Sequence, residues 1–531
     1  MSNNYHHFKM RVVGTWVLTA ILLLFSTVFT DFPYSNEIQM VLALPVLLFF
    51  CAPFYTGAWK RTRLGRKNID GLVALTTSVA FLFSVFNTFY PDYMYSRGME
   101  PYVYYPVTVL IIAFVLTGEL IEGYPRASRV FPEKQRIDDR VAELFIPVVL
   151  VVSVLTFFIW IFFGGVDVLS HAMLSAVSVL IIACPCTLGL ATPIALMSGV
   201  NKAAHNHILI KDTLALEQMR NVDVVVFDKT GTLTEGHPTV TGWLWAQGQE
   251  EYFKNILLAA EKESDHPLAE AIVAALEEEH VVPVALDGFE NIIGKGIRVS
   301  YQGAEYWVGS HKLLKDYQAY LSDVLGDMLV QYESEGNSIV YFGRESRLLA
   351  VIAIKDQLKA TASWAIKELH KLDVEICMLT GDGERTASSV ASSLGIMRFI
   401  ADAMPDDKED FIRELQLQGR TVAMVGDGVN DSQALACADI SIAMGKGTDM
   451  DVAMVTLKTS DLLLLPRAFR LSGRTVRLMH QNLFWAFIFN LIGIPVAAGV
   501  LYPVYGILLT PMLAGAVMIL SYVSVALNSL K

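Results

Sequence analysis

Eight long apolar segments constrain what this chain can fold into more than any other feature of its sequence. Each is close to the roughly 20 residues that a helix needs to cross a bilayer. They lie at about residues 12–30, 38–58, 70–90, 103–122, 142–163, 172–199, 481–502 and 506–528. With 53% hydrophobic and 18% charged residues, the composition is too apolar for an ordinary soluble enzyme. We therefore predict an integral membrane protein with an α-helical bundle of eight spans.

The charged residues orient these segments. Basic clusters all fall on one side of the map of spans: His6 to Arg11, Lys60 to Lys67, Arg126 to Arg140, Lys202 onward and Arg470 to Arg477. Because cytoplasmic loops are the basic ones, we predict cytoplasmic termini and a cytoplasmic soluble part, with the plasma membrane as host. No small-residue cleavage site follows the first segment, so we interpret it as a span and not as a signal peptide. The basic clusters are short and the net charge is −12, which argues against a nucleic-acid partner.

A soluble insert of roughly 280 residues separates the sixth and seventh segments, long enough for two domains. Strand-like and helix-like runs alternate in it, which predicts a parallel, doubly wound α/β sheet. The predicted strands are Val222–Phe227, Leu348–Ile354, Ile376–Leu379, Thr421–Val425 and Ile440–Ala443. We predict a membrane domain at 1–205 and 476–531, an α/β domain that carries the parallel sheet at 206–236 and 351–475, and an inserted α+β lid domain at 237–350.

One aspartate stands at the end of an apolar run in this insert. Asp228 follows Val222–Phe227 and opens the run Asp228-Lys229-Thr230-Gly231-Thr232-Leu233-Thr234. Open α/β sheets place reactive groups at the carboxyl ends of their strands. An aspartate there can attack the γ-phosphoryl group of ATP and hold it as an acyl phosphate. An ordinary strand end with a turn is the alternative, but the run resembles the phosphorylation motif of the P-type ATPases. The resemblance implies that Asp228 is the nucleophile and that Lys229 and Thr230 assist it.

Two Gly-Asp turns and a lysine complete the constellation. Thr380-Gly381-Asp382 follows one predicted strand and Gly426-Asp427-Gly428-Val429-Asn430-Asp431 follows another, so both lie at the sheet edge that carries Asp228. Carboxylates there suit Mg²⁺, and a lysine supplies a point charge for the phosphoryl oxygens. Together they resemble the haloacid-dehalogenase-like phosphorylation domain of P-type ATPases. The resemblance implies catalytic roles for Thr380, Gly381, Asp382, Lys408 and Asn430, and Mg²⁺ at Asp228, Thr230, Asp427 and Asp431.

The inserted domain carries weaker signals. Glu261, the run Ser264-Asp265-His266-Pro267 and the run Gly294-Lys295-Gly296-Ile297 are each unremarkable alone, because a His-Pro pair usually just begins a helix. Their combination resembles the nucleotide-binding domain of the heavy-metal branch of P-type ATPases. That resemblance implies that Glu261, His266, Gly294 and Gly296 bind ATP.

A cysteine pair flanks a proline in the sixth apolar segment. In Cys184-Pro185-Cys186 the proline removes a backbone hydrogen bond in mid-span and frees carbonyl groups. Two soft thiols beside such a break suit Cu(I), Ag(I) or Zn(II). A kinked packing helix with two buried cysteines is the alternative. The run resembles the transport-site signature of heavy-metal P-type ATPases, which implies that Cys184 and Cys186 bind the cargo.

The last two segments refine the cargo. Copper-exporting members carry Tyr-Asn in the penultimate span and a Met-x-x-Ser-Ser pattern in the last, and this sequence resembles them at Asn490, Met518 and Ser521. A thioether favours a soft monovalent ion, and these segments offer no carboxylate for Zn(II). We predict Cu(I) as the cargo and Ag(I) as its companion. Phe489 replaces the tyrosine, and we hypothesise that the phenol of Tyr522 takes over the missing polar contact.

One family domain has no counterpart in the sequence. Thr117-Gly118-Glu119 copies the hydrolytic tripeptide of the family's actuator domain, but it continues the fourth apolar segment, so we interpret it as a coincidence. Only Gly123 to Arg140 separates the fourth and fifth segments, which is too short for a domain. We therefore expect that the actuator domain is absent, as are amino-terminal Cys-x-x-Cys modules. Glu122 and Asp139 resemble the carboxylates where metal enters from the cytoplasm.

These observations leave three functions open. The first is a P-type ATPase that moves Cu(I) across a lipid bilayer through a phosphorylated Asp228, with a cytosolic copper donor as partner and export as the family's usual direction. Hydrolysis of the acyl phosphate is the step left open, because the actuator domain is missing. The second is a non-transporting metal-binding or regulatory membrane protein, or an inactive deletion product. The third is a membrane-tethered phosphatase of the same sheet family, which gives no role to Cys184 and Cys186.

Overall fold

The computed structural model describes residues 2–29, 32–52, 54–57, 69–97, 99–121, 137–163, 168–184, 188–246, 250–320, 323–427, 431–445 and 453–530. They form two compact units, residues 1–199 with 474–531 and residues 200–473. The first unit holds the apolar helices, and the second holds both β-sheets. The sequence's division into a membrane part and a soluble insert therefore corresponds to a division of the fold.

The membrane unit is helical. Its helices are α1 (Ser2–Thr27), α2 (Ser35–Pro45, continued by a π-helical turn at Val46–Phe50), α3 (Ile69–Phe89), α4 (Pro91–Tyr95), α5 (Tyr105–Ile121), α6 (Ile137–Phe163), α7 (Val168–Ile182), α8 (Leu188–His205), α18 (Leu464–Ala497), α19 (Tyr502–Tyr505) and α20 (Pro511–Ser529). Every predicted apolar segment overlaps one of them. Among the described residues, four helices are long and apolar enough to cross a membrane, namely α1, α3, α6 and α20. The number of eight spans stays a prediction.

The sixth apolar segment is two helices instead of one. Helix α7 ends at Ile182, and α8 begins at Leu188. The last turn tightens, since the amide of Cys184 donates to the carbonyl of Ile181 at 3.1 Å. The break that the Cys-Pro-Cys sequence predicts is therefore present, with Cys184 at its first edge.

The Thr-Gly-Glu tripeptide lies within α5, as the sequence predicts. A Cβ atom on Gly118 would lie 3.2 Å from Cδ2 of Leu190 and 3.3 Å from the carbonyl of Gly189. Small residues let membrane helices approach closely, so the glycine serves the contact between α5 and α8. The tripeptide is part of a helix contact.

The soluble unit contains two sheets. Its strands are β1 (Ile208–Ile210), β2 (Val224–Asp228), β3 (Thr239–Trp245), β4 (Gly288–Ile292), β5 (Gly296–Tyr301), β6 (Ala304–Gly309), β7 (Ser338–Arg344), β8 (Arg347–Lys355), β9 (Glu375–Leu379), β10 (Arg398–Ile400), β11 (Val422–Gly426), β12 (Ile440–Met444) and β13 (Val455–Leu457). Its helices are α9 (Thr213–Gln218), α10 (Glu250–Lys262), α11 (Pro267–Glu278), α12 (His311–Asp316), α13 (Asp323–Ser334), α14 (Ala362–His370), α15 (Glu384–Leu394), α16 (Pro405–Leu417) and α17 (Ser432–Cys437).

The first sheet has the order β1-β13-β12-β11-β2-β9-β10 and is parallel except for the pair β1 and β13. Strand β2 lies at its centre with all five residues buried. The chain adds β9 and β10 on one side of β2 and then β11 to β13 on the other. Such a reversal opens a crevice at the carboxyl ends of the strands. This crevice is where Asp228 lies.

The second sheet is antiparallel, with the order β3-β8-β7-β6-β5-β4. Strand β8 pairs with β3 and β7, so the predicted strand Leu348–Ile354 exists, but its assignment to the parallel sheet was wrong. Residues of β8 belong to two apolar clusters, one with Leu349 and Ile352 and one with Leu348 and Val351. A strand that is covered on both faces reads as a continuous apolar run, like a central parallel strand. The inserted domain's sheet consequently extends to Lys355, beyond the predicted boundary at 350.

Both connections to the inserted domain run side by side. Thr239, the first residue of β3, lies opposite Lys355, the last residue of β8. Further toward the parallel sheet, Thr234 and Leu358 form an isolated antiparallel bridge. The domain is therefore joined to the rest of the unit by two neighbouring chain segments.

Candidate active site

Asp228 ends the central strand of the parallel sheet, and Lys408 reaches it from the first turn of α16. The Nζ atom of Lys408 lies 2.5 Å from Oδ1 of Asp228 and 2.7 Å from Oδ1 of Asp431. The three side chains are at most 9% exposed. One buried ammonium group thus bridges two buried carboxylates, and the three predicted residues are brought together.

This cluster holds more negative charge than Lys408 can neutralise. Burial raises the pKa of Asp228, the carboxylates of Asp431 and Asp427 raise it further, and Lys408 opposes them. Burial also raises the pKa of Asp431. For Lys408, burial disfavours the charge, but Asp228 and Asp431 outweigh it and raise the pKa of the ammonium group. The second oxygen of Asp431, Oδ2, is buried and has no hydrogen-bond partner among the described residues. Excess charge and a spare carboxylate oxygen fit Mg²⁺.

The turn after Asp228 brings a third carboxylate to the same place. Gly231 has a φ of 71°, and a Cβ atom on it would lie 3.3 Å from Oδ2 of Asp427. Only glycine adopts this conformation without strain while leaving room for the carboxylate. Thr230 lies in the same turn, between Lys229 and Gly231. Of the four residues predicted to hold Mg²⁺, Asp228 and Asp431 belong to this cluster. Asp427 lies against the turn after Asp228, and Thr230 lies in that turn.

The Thr380 turn contacts Lys229, the residue that follows Asp228. Lys229 forms an ion pair with Asp382. The amide of Asp382 donates to Oγ1 of Thr380 at 3.1 Å, which fixes the turn that includes Gly381. Ser338 of the inserted domain donates from Oγ to Oδ1 of Asp382 at 3.2 Å. The predicted Thr-Gly-Asp turn therefore lies between the inserted domain and the loop at 229–236 that follows Asp228, here called the phosphorylation loop after its predicted role.

Two further residues hold the phosphorylation loop and were missed in the sequence. Asp356 accepts from Oγ1 of Thr234 at 2.5 Å and from the amide of Gly236 at 3.1 Å. Lys359 is buried, and its Nζ donates to the carbonyl of Gly231 at 2.8 Å. Burial lowers the pKa of Lys359. The signal was available, because Asp356 follows an apolar strand as Asp228 does.

The predicted nucleotide residues lie in the inserted domain. Nδ1 of His266 accepts from the amide of Leu268 at 3.2 Å and so caps α11, while burial lowers the pKa of His266 and Asp382 opposes that shift. Glu261, near the end of α10, is buried, which raises its pKa to about 8. It is therefore protonated at neutral pH and can donate a hydrogen bond. Gly294 and Gly296 bound the β4–β5 turn.

Both glycines of that turn are structurally required. Gly294 has a φ of 71° and Gly296 a φ of 146°. A Cβ atom on Gly296 would lie 2.2 Å from the carbonyl oxygen of Val308. One on Gly294 would lie 3.4 Å from Cε of Met404, which precedes α16 of the phosphorylation domain. Because these two positions carry no side chain, a ligand can approach the backbone of the turn closely, as in phosphate-binding turns.

The residues predicted to bind the cargo are partly described. Cys184 and Met518 are buried members of one apolar cluster. Ser521 is buried, and its hydroxyl has no hydrogen-bond partner among the described residues. Asn490 is half-buried on α18, and Tyr522 stacks on Phe114 with ring centroids 4.3 Å apart. Four predicted residues are not described: Cys186, Glu122 and Asn430 lie outside the described residues, and so does the side chain of Asp139.

The fold and its cluster of aspartates define a class. A family model for haloacid dehalogenase-like hydrolases matches residues 222–439, which include β2, β9, β11 and the turns at their carboxyl ends. More narrowly, the chain belongs to the P-type ATPase family, in its heavy-metal-transporting branch.

Three relatives carry this assignment. A copper-exporting P-type ATPase of Staphylococcus saprophyticus is 32% identical over 631 residues, covering 97% of this chain and 78% of the relative. A copper-exporting P-type ATPase of Legionella pneumophila is 44% identical over 418 residues, covering 78% of this chain and 57% of the relative. A silver exporting P-type ATPase of Salmonella typhimurium is 45% identical over 421 residues, covering 78% of this chain and 51% of the relative. The chain thus spans about half the length of the last two relatives.

A solved structure agrees in fold. The crystal structure of a zinc-transporting PIB-type ATPase in the E2.Pi state matches with a TM-score of 0.73, at 23% sequence identity, over 98% of this chain and 99% of that chain. The membrane helices, the parallel sheet and the inserted domain therefore follow the family's architecture.

Proposed function

We propose that this chain transports Cu(I), with Ag(I) as a second cargo, at the expense of ATP and through a phosphorylated Asp228. The bridge of Lys408 between Asp228 and Asp431 carries the proposal, because it places a buried nucleophile beside a fixed positive charge. A carboxylate oxygen of Asp228 attacks the γ-phosphorus of ATP, the bond to the β,γ-bridging oxygen breaks, and ADP leaves. Asp228, Thr230, Asp427 and Asp431 would hold Mg²⁺, which would supply positive charge to the phosphate oxygens.

The cargo assignment rests on soft donors in the membrane unit. Cys184 and Met518 share one buried cluster, and the hydroxyl of Ser521 is buried without a partner among the described residues. Thiolate and thioether ligands select Cu(I) and Ag(I) over harder ions. The names of the relatives, copper-exporting and silver exporting, support the same cargo. Cys186 and Asn490 complete the proposed ligand set, and Glu122 with Asp139 receives the ion from a cytosolic donor.

The absence of an actuator domain is part of the proposal. The alignment with the Staphylococcus saprophyticus relative runs over 631 positions, whereas this chain has 531 residues, so at least 100 aligned positions have no residue here. We place that gap at the short connection between Gly123 and Arg140. We infer that the acyl phosphate on Asp228 is hydrolysed slowly, because the glutamate that activates water in the family is missing. Transport then proceeds either with altered turnover or with the actuator function supplied by another protein. We further propose that the chain lies in the plasma membrane, with its termini and catalytic unit in the cytoplasm.

The test is a labelling experiment on the full chain in lipid. ATP labelled at the γ-phosphate is added with and without Cu(I), and acid-stable, hydroxylamine-sensitive label on the protein is measured, followed by a chase with unlabelled ATP. We expect Cu(I)-stimulated label that is absent in Asp228→Asn and survives the chase. Cys184→Ser should remove the stimulation, whereas Cys51→Ser, which changes another buried cysteine, should not.

Each competing function predicts a different result. A protein without any label would be a non-transporting metal-binding protein or an inactive product. Label that Cu(I) and Cys184→Ser leave unchanged would point to a membrane-tethered phosphatase. Label that disappears quickly in the chase would contradict the proposed loss of the hydrolytic step.

A further inference from the structure

Three helices of the membrane unit meet at one buried amide side chain, Asn482 of α18. Its Nδ2 donates to the carbonyl of Ala191 on α8 at 3.0 Å and to Oγ of Ser529 on α20 at 2.7 Å. Its Oδ1 accepts from Nδ2 of Asn528 at 2.9 Å. Asn482 is completely buried, so the amide uses both of its donors and its acceptor inside the protein. A single side chain thereby ties α8, α18 and α20 together.

The contacts around this amide define how α18 and α20 are aligned. Asn482 bonds to Ser529, and four residues further along α18, Ala486 packs in the same apolar cluster as Val525 of α20. Numbers rise along α18 while they fall along α20, so the two helices are antiparallel. Continued by one more turn, this register places Asn490 opposite Ser521. These are two of the residues that we assign to the cargo.

The third helix links the amide to the cysteine site. Ala191 lies in the first turn of α8, which begins just after the break that holds Cys184. Asn490 lies eight residues after Asn482 on α18, and Ser521 lies eight residues before Ser529 on α20. At 1.5 Å per residue this is about 12 Å along each helix axis. Asn490, Ser521 and Cys184 form the proposed cargo layer. The amide network is a polar layer about two turns away from it, on the same three helices.

A polar layer of this kind fixes register in a way that apolar packing cannot. Lipid provides no hydrogen-bond partners, so an amide in a helix bundle satisfies itself only in one alignment of its neighbours. Ala191 and Ala486 pack beside it, and small side chains let the helices approach. A shift of α18 by one residue would break all three hydrogen bonds at once.

We propose that Asn482 is a positioning residue for the transported ion. It sets the register of α18 against α20 and holds the first turn of α8, so that Cys184, Asn490 and Ser521 face one another. This inference rests on the proposed transport of Cu(I). It assigns Asn482 no direct contact with the ion.

The test measures Cu(I) affinity of the full chain in lipid by competition with a chromogenic Cu(I) chelator. Asn482→Leu removes all three bonds and should weaken Cu(I) binding about tenfold or more, whereas Ser529→Ala removes one bond and should weaken it roughly threefold. The double variant should bind like Asn482→Leu alone, because the shared bond is already lost. The KM for ATP should stay unchanged in all of them. Should Asn482→Leu fail to fold, Ser529→Ala decides alone.

The matched control is Tyr105→Phe. It deletes a bond of the same kind, between the Tyr105 hydroxyl on α5 and Oγ1 of Thr88 on α3 at 3.0 Å, away from the cargo layer. It should leave Cu(I) affinity unchanged. Parental affinity in Asn482→Leu or Ser529→Ala, or an equal loss in Tyr105→Phe, would overturn the inference while transport of Cu(I) stands. A parent chain that binds no Cu(I) would instead overturn the proposed function, and this inference with it.

Discussion

Replacing Lys408 by methionine tests the arrangement around Asp228 most directly. The substitution keeps most of the side-chain volume but removes the ammonium group that lies 2.5 Å from Asp228 and 2.7 Å from Asp431. Removing one partner of a buried ion pair costs about 3–5 kcal/mol, because the remaining charge stays buried and unpaired. At 1.36 kcal/mol per power of ten, this free energy corresponds to a change of roughly a hundredfold to several thousandfold in an equilibrium or rate constant.

The loss should appear in the rate of phosphorylation and in its pH dependence. The pKa of Asp228 is already raised by burial and by its acidic neighbours, and Lys408 opposes that rise. Without Lys408 the pKa rises further, so a larger fraction of Asp228 is protonated at neutral pH and cannot attack. We therefore expect a rate at pH 7 at least a hundredfold below the parent and a partial recovery as the pH is raised.

Rapid-quench measurements of labelled phosphoenzyme between pH 6 and pH 9, at saturating Mg²⁺, check both parts. Lys408→Arg is the control, because it retains the positive charge and should shift the pH profile less. A Lys408→Met protein that is labelled at the parental rate with an unchanged pH profile would refute the reasoning.

Three other predictions follow from the inserted domain and the cargo site. Burial raises the pKa of Glu261 from 4.5 to about 8. Between these values the folded protein holds a proton that the unfolded chain has released, so the melting temperature should fall from about pH 4.5 to pH 8 and level off above pH 8. ATP affinity should fall as the pH rises through about 8, and Glu261→Gln should abolish both dependences in calorimetry. Gly296→Ala, whose Cβ would lie 2.2 Å from the Val308 carbonyl, should lose measurable ATP binding, whereas Gly303→Ala, with a φ of 73° and open space around it, should cost only about 1 kcal/mol of stability. Tyr522→Phe should weaken Cu(I) binding in the chelator assay if the phenol serves the ion; equal binding would contradict that role.

The sequence predicted those features of the fold and the site that follow from one physical rule each. Apolar segments must be helical in lipid, and each predicted segment overlaps a helix. Polar groups at the ends of parallel strands must share one edge of the sheet, and Asp228, Lys229 and Asp382 do meet there. The Cys-Pro-Cys break follows from the missing amide of proline.

Features that depend on a partner distant in the chain were not predictable in this way. Strand β8 looked like a parallel strand because its apolar run does not reveal which strands lie beside it. Lys359 donates a hydrogen bond to the carbonyl of Gly231, which lies more than a hundred residues earlier in the chain. No local sequence pattern predicts that contact. Asn482 likewise resembles any polar residue at the edge of an apolar segment until its partners on α8 and α20 are known.

The side-by-side attachment of the inserted domain has a consequence for how such a protein can change. Since Thr239 lies opposite Lys355, the whole stretch between them begins and ends at nearly the same point in space. It can be lengthened, shortened or exchanged without altering any distance within the parallel sheet. The nucleotide-binding domain is thus an insertion that is attached to the parallel-sheet domain through two neighbouring strands. Selection can change this domain while Asp228, Lys408 and Asp431 keep their positions.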